Sequence, residues 1–195
     1  MGILAKRAIV LPVAAFSAVA LTGIVAGTAS AASVTSGSVT VSVDNTFLAA
    51  LAKHGVLVNE HGATSVADAN GQLSVTFAAT GGDANVSTFS GTISDSGTIC
   101  VTDVRTRKSV DLSALLFDLG DAQFDGQPSA AVGEVPLVDL AGTQTGNING
   151  TTQTYAATDL TLDAAGAAYL NSALNTTVFT SGEDVGSFSA SWVYA

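Results

Sequence analysis

The feature that most constrains this chain is a side-chain period of two that appears at residues 38–43 and returns near the C-terminus. Val39, Val41 and Val43 alternate with Ser38, Thr40 and Ser42. Near the C-terminus Phe188, Ala190, Trp192 and Tyr194 alternate with Ser187, Ser189, Ser191 and Val193. Neighbouring side chains of an extended strand point to opposite faces, so each segment buries one face and hydrates the other.

Between these ends, short apolar runs are separated by turn chemistry. Strands are predicted at 56–58, 73–77, 86–93, 99–104, 110–112, 115–119, 123–124, 132–140 and 158–162. The breaks fall at His61-Gly62, Gly81-Gly82-Asp83, Asp95-Ser96-Gly97 and Arg105-Thr106-Arg107-Lys108. Residues 142–154, rich in Thr, Gln, Gly and Asn with little apolar content, read as a loop. Strands repeated at this spacing predict an antiparallel β-sandwich.

Two segments break the pattern. Phe47, Leu48 and Leu51 share one helical face after Asp44 or Asn45 as N-cap, and Gly55 follows where a helix ends, which predicts a helix at 46–54. Asp163 caps a second at 164–174, with Tyr169, Leu170, Ala173 and Leu174 as its apolar face. Cys100 is the only cysteine, so no internal disulfide forms and stability rests on apolar burial.

The first residues carry a different signal. Lys6 and Arg7 precede an uncharged apolar run, and Ala29-Ser30-Ala31 supplies a small-residue cleavage site. We read residues 1–31 as a signal peptide, 32–37 as a flexible leader and 38–195 as one β-rich extracellular domain. Pro12, Gly23 and Gly27 interrupt the run and argue against a retained anchor. The chain has 6 Lys+Arg and 16 Asp+Glu; loss of Lys6 and Arg7 leaves 4 basic groups and a formal charge of −12. Such a polyanion is unsuited to nucleic acid, whose phosphates require Lys and Arg, and is repelled by anionic membranes. A transmembrane barrel needs aromatic girdles, and only Tyr155, Tyr169, Tyr194 and Trp192 are available. No stable membrane insertion is expected after cleavage.

Motifs for nucleophilic, zinc-dependent, phosphate-binding or dinucleotide chemistry are absent from the sequence. Cys100, within Ile99-Cys100-Val101, reads as a buried inert thiol. His54 and His61 are the only histidines, and Gly55 interrupts the segment between them. Asp118, Asp121 and Asp125, with Asp139, form the densest acidic group and are the candidate Ca²⁺ ligands, although their spacing matches no calcium loop. Arg105, Arg107 and Lys108 form a basic turn that either meets an anionic envelope polymer or guards a sheet edge. Asn85, Asn149 and Asn175 each begin a glycosylation sequon.

Certain segments recur in a familiar order. They are Phe89-Ser90-Gly91-Thr92-Ile93, Asp95-Ser96-Gly97, residues 135–140, and the 160–171 stretch Leu-Thr-Leu-Asp-Ala-Ala-Gly-Ala-Ala-Tyr-Leu-Asn, followed by Phe179 and Gly182. This order resembles the HtaA-type domain of secreted bacterial haem-uptake proteins, and also a broader group of secreted bacterial proteins. The resemblance implies a β-rich fold with short helices, and haem held by a Tyr after a Phe on the first helix and by a His in a glycine-rich turn. At the matching positions this chain has Ala50 and Asp95 or its neighbour. Neither can ligate haem iron as a phenolate or imidazole does. His54, on the same helix, is the remaining candidate ligand.

The expectation is therefore a secreted or cell-surface, non-enzymatic domain. It would act by binding, or as a structural part of the extracellular layer, with an envelope polymer or protein as partner and no cofactor. The alternative is a haem or small hydrophobic ligand carrier of the HtaA type.

Overall fold

A computed structural model describes residues 33–69, 71–129 and 133–195. The segment read as a signal peptide lies outside them. In chain order the elements are β1 (Val34–Val43), α1 (Asn45–Lys53), β2 (Val56–His61), β3 (Thr64–Ala67), β4 (Leu73–Gly82), β5 (Thr92–Asp95), β6 (Thr98–Asp103), β7 (Lys108–Asp118), β8 (Gln123–Pro128), β9 (Val135–Asn149), β10 (Thr152–Leu162), α2 (Ala164–Leu174) and β11 (Asp184–Tyr194). β1 thus begins inside the stretch read as a leader, with Val34 buried opposite Tyr194.

The fold is mainly β and antiparallel, as expected, but it is a closed barrel and not a sandwich. Eight strands pair in the ring β1-β4-β5-β7-β8-β9-β10-β11, and β11 returns to β1. The closing contact is β7 with β8, where Phe117 faces Phe124. A sandwich and a barrel bury alternate side chains alike, so the period of two does not separate them. What decides is that β7 pairs along both edges. Its first half holds β6, its second half holds β5, and β8 lies on its other side. Ala114, at a positive φ of 46°, accompanies the register shift against β8 between Ser113 and Leu116. β2 extends the sheet beyond β6, and β3 adds to β4.

Two sequence readings change in opposite directions. Residues 142–154 are not a loop: they form the outer part of the β9–β10 hairpin, turning at Gly150 with φ +61°. Ladder hydrogen bonds carry most of that hairpin, which has little apolar content. Conversely, 86–93 is mostly a turn, bridged at Asn85 and Ser90, and only β5 remains as strand. The two helices form where predicted, within one residue.

Inside the barrel the alternation buries Val39, Phe77, Phe117, Phe124, Phe188 and Trp192. Phe117 packs on Phe188 with centroids 4.7 Å apart and on Tyr155 at 5.6 Å, while Phe124 packs on Phe77 at 6.0 Å. One end is closed by the turn around Ala84 and Val86. The Trp192 indole N–H donates to the Ala84 carbonyl at 3.0 Å, and Gln153 Oε1 accepts from Val86 N at 2.7 Å. The outer wall is hydroxyl-rich: Thr64, Thr76, Thr40 and Ser189 lie on one cross-strand rung, and Thr40 bonds Thr76 at 2.9 Å. A transmembrane barrel needs the reverse arrangement, with an apolar band outside. Among the described residues no helix is long and apolar enough to cross a membrane.

Candidate functional site

The opposite end of the barrel is covered by helices, and there the interior is not filled. β1 leads into α1 through Asp44, whose carboxylate accepts from Thr46 N at 2.6 Å and Phe47 N at 3.0 Å. These bonds hold Asp44 below the ordinary aspartate range, with the Phe47 amide as the main cause. The cap fixes the start of the helix, so Phe47, Leu48 and Leu51 face the barrel mouth. α2 spans the same end. Its Gly166 lies so close to the Pro136 carbonyl that a Cβ would sit 2.6 Å from it. The Asn171 side chain clamps the following segment, donating to the Phe179 carbonyl at 2.7 Å and accepting from Phe179 N at 3.1 Å.

These elements leave an apolar cavity of about 140 Å³. Phe77 and Phe124 border it on the barrel side, Phe47, Leu48 and Leu51 on the α1 side, and Phe179 beside α2. Val41 and Val43, which the alternation marked for burial, are only half-buried because they line this space. The rim on the β2 side carries Val58, 38 % exposed, with Asn59 and Glu60. Glu60 is the only charged residue in the lining. Its Oε1 accepts from the Ser65 hydroxyl, and no ion pair involves it among the described residues.

The residues singled out in the sequence lie elsewhere. His54 is the C-cap of α1 and exposed, and it does not line the cavity. No Tyr, His, Cys or Met lines it either. Asp95 shares the buried face of β5 with Ile93, lies opposite Leu115 in the register, and has both carboxylate oxygens unpartnered. Burial raises its pKa to about 8. Cys100 is half-buried, not buried as expected. Its thiol sits opposite Asp111 across β6–β7, and the Asp111 carboxylate, the main cause, together with burial raises its pKa, which lowers its thiolate fraction.

Asp118 caps the β7–β8 turn, accepting from Gly120 N at 2.8 Å and Asp121 N at 3.1 Å. Asp125, on β8, is buried, with Oδ1 unpartnered. Burial, then the charges of Glu134, Asp118, Asp121 and Asp163, raise its pKa to about 6. The three candidate calcium residues thus share one acidic neighbourhood, but among the described residues no three acids, His or Cys converge as metal ligands. The basic turn folds back on α1: Arg105 Nη2 donates to the Lys53 carbonyl at 2.7 Å, and Asp103 Oδ1 caps the turn through Arg105 N at 2.8 Å.

No family model matches this sequence, and no curated protein matches it either. Solved structures do. The C-terminal domain of HtaA from Corynebacterium glutamicum superposes with a TM-score of 0.60 at 15% identity, covering 84% of this chain and 99% of that domain. The N-terminal domain of the same protein gives a TM-score of 0.55 at 12% identity, covering 83% of this chain and 98% of that domain. The chain has the HtaA-type fold as a distant likeness.

Proposed function

We propose that this chain is a non-enzymatic binding domain working outside the cytoplasm, which takes a small apolar ligand, or the apolar end of a larger one, into the helix-covered end of its barrel. The cavity carries this reading. Eight strands enclose an interior that is either filled by side chains or holds one small ligand. Here the half towards Trp192 is filled by aromatic rings and the half under α1 is not. An apolar cavity of roughly this size in another protein stays dry and binds benzene, which sets the scale of the occupant. The export signal and the HtaA-type fold support an extracellular setting, and the sequence contains no catalytic constellation.

The residues present do not fit haem in this cavity. Iron needs an imidazole, phenolate, thiolate or thioether donor, and the lining supplies none. A porphyrin is also several times the size of benzene. Ala50 and Asp95 stand where the resemblance implies ligands, and His54 is exposed at the end of α1, outside the lining.

Titration with a neutral single-ring fluorescent dye, matched to a benzene-sized space, tests the proposal. Saturable one-to-one binding is expected, and it should vanish in Val43→Phe, which fills the cavity from β1. Unchanged Trp192 emission in that variant shows that the far end of the barrel is intact. Dye binding that persists undiminished in a folded Val43→Phe protein would overturn the assignment.

A further inference from the structure

We infer that the ligand of this cavity is a cationic amphiphile, an alkylammonium whose chain enters the barrel and whose head is held by Glu60. The inference rests on the cavity reading above and adds the chemistry of the head group. Sites of this kind are mostly apolar, with a few polar groups that fix orientation. Here the aliphatic and aromatic lining includes one acidic residue, Glu60, on the partly exposed β2 side, with its carboxylate beyond the edge of the apolar space.

The strand places it there. β2 is extended, so Val56, Val58 and Glu60 share one face; Val56 is buried and Val58 lines the cavity beside Glu60. Ser65, on β3, donates its hydroxyl to Oε1. Oε2 has no hydrogen-bond partner among the described residues and is the atom left for a ligand N–H.

The wider charge distribution agrees. The chain carries 16 acidic and 6 basic groups, and a net negative field draws cations towards its surface. Lys53, Arg105, Arg107 and Lys108 do not oppose this. They gather at the α1 end and the β6–β7 turn, where β2 begins at Val56 opposite Asp103. Glu60 is four residues further along the strand, about 13 Å away, which exceeds the screening length of about 8 Å at physiological salt. An anionic head at the same rim would meet Glu60 with no cation beside it. The size of the space sets the tail: a benzene-sized cavity takes about six carbons, so chains of six to eight carbons fill it and reach the rim.

Calorimetric titration of the purified protein with octylammonium, 1-octanol and octanoate decides the matter. Octylammonium is expected to bind about tenfold tighter than octanol, the scale of one charge-assisted hydrogen bond, and octanoate weakest. Glu60→Gln should remove that advantage while octanol affinity stays within about twofold, because the apolar part of the site is untouched. Raising the salt should lower the ammonium affinity selectively. Equal affinities for octylammonium and octanol, or tighter binding of octanoate, overturn the head-group assignment and leave the cavity standing. Failure of all three to bind sinks the cavity reading itself.

Discussion

Asp95 offers the most decisive perturbation of the folded barrel. Its carboxyl is buried with neither oxygen hydrogen-bonded, and burial moves its pKa from the ordinary 3.8 to about 8. Between those values the unfolded chain releases a proton that the folded protein keeps. A group raised in this way favours folding fully only below the unfolded value, and that contribution is lost as pH rises through the window. The slope is about 1.4 kcal/mol per pH unit. Three units lie between 3.8 and 7, so the loss reaches about 4 kcal/mol at pH 7, and about 6 kcal/mol above pH 8. Asp95→Asn removes the titration and keeps the shape. Relative to it, the wild type is expected to be equally stable near pH 3.5, and to fall behind steadily up to pH 8. Asp95→Val also removes an unpartnered polar group, which adds about 1–3 kcal/mol. Urea denaturation of the three proteins from pH 3.5 to 9 measures this. Parallel stability curves for wild type and Asp95→Asn would refute the reasoning, since they would mean that the carboxylate finds water or a donor in the folded state.

Two further substitutions test the barrel at other points. Gly186 on β11 has φ +143°, and a Cβ there would lie 2.0 Å from the Ser42 carbonyl oxygen of β1; Gly186→Ala should cost about 3 kcal/mol or more in chemical denaturation. As a control, Gly182→Ala, at φ +79° with nothing within 4 Å, should cost about 1 kcal/mol. Trp192→Phe leaves the Ala84 carbonyl without its buried donor and should cost about 3 kcal/mol. Amide exchange should accelerate first around Ala84 and Val86, and protection there equal to wild type would contradict the role given to that bond.

Local structure was legible where one residue's chemistry settles it. Asp163 before an apolar helical face placed α2 to the residue, and Asp44 placed α1 within one. The alternation in β11 named the inward side correctly, from Phe188 to Trp192. Closure was not legible. It depends on β7 meeting β8 on one edge while sharing its other edge between β5 and β6, and no run of residues encodes which edge is free. The β9 arm of the β9–β10 hairpin escaped for a related reason: from Gly142 outward its residues are all exposed, so no periodicity marks it as a strand.

The cavity escaped for a subtler reason. Alternation identifies side chains that turn inward but not whether they meet anything there. Val39 and Val41 are indistinguishable in sequence, two residues apart on one face of β1. Val39 is wholly buried, whereas Val41 borders empty space. The difference lies in which elements reach the axis at each level. The level towards the Trp192 end is crowded by Phe117, Tyr155 and Phe188. Near α1 the helices span the opening instead of entering it, and they meet it with Phe47, Leu51 and Leu170. A chain that needed only stability would fill such a void, because each missing methylene forfeits about 1 kcal/mol of burial and dispersion. On the function proposed above, a ligand completes the packing of this void.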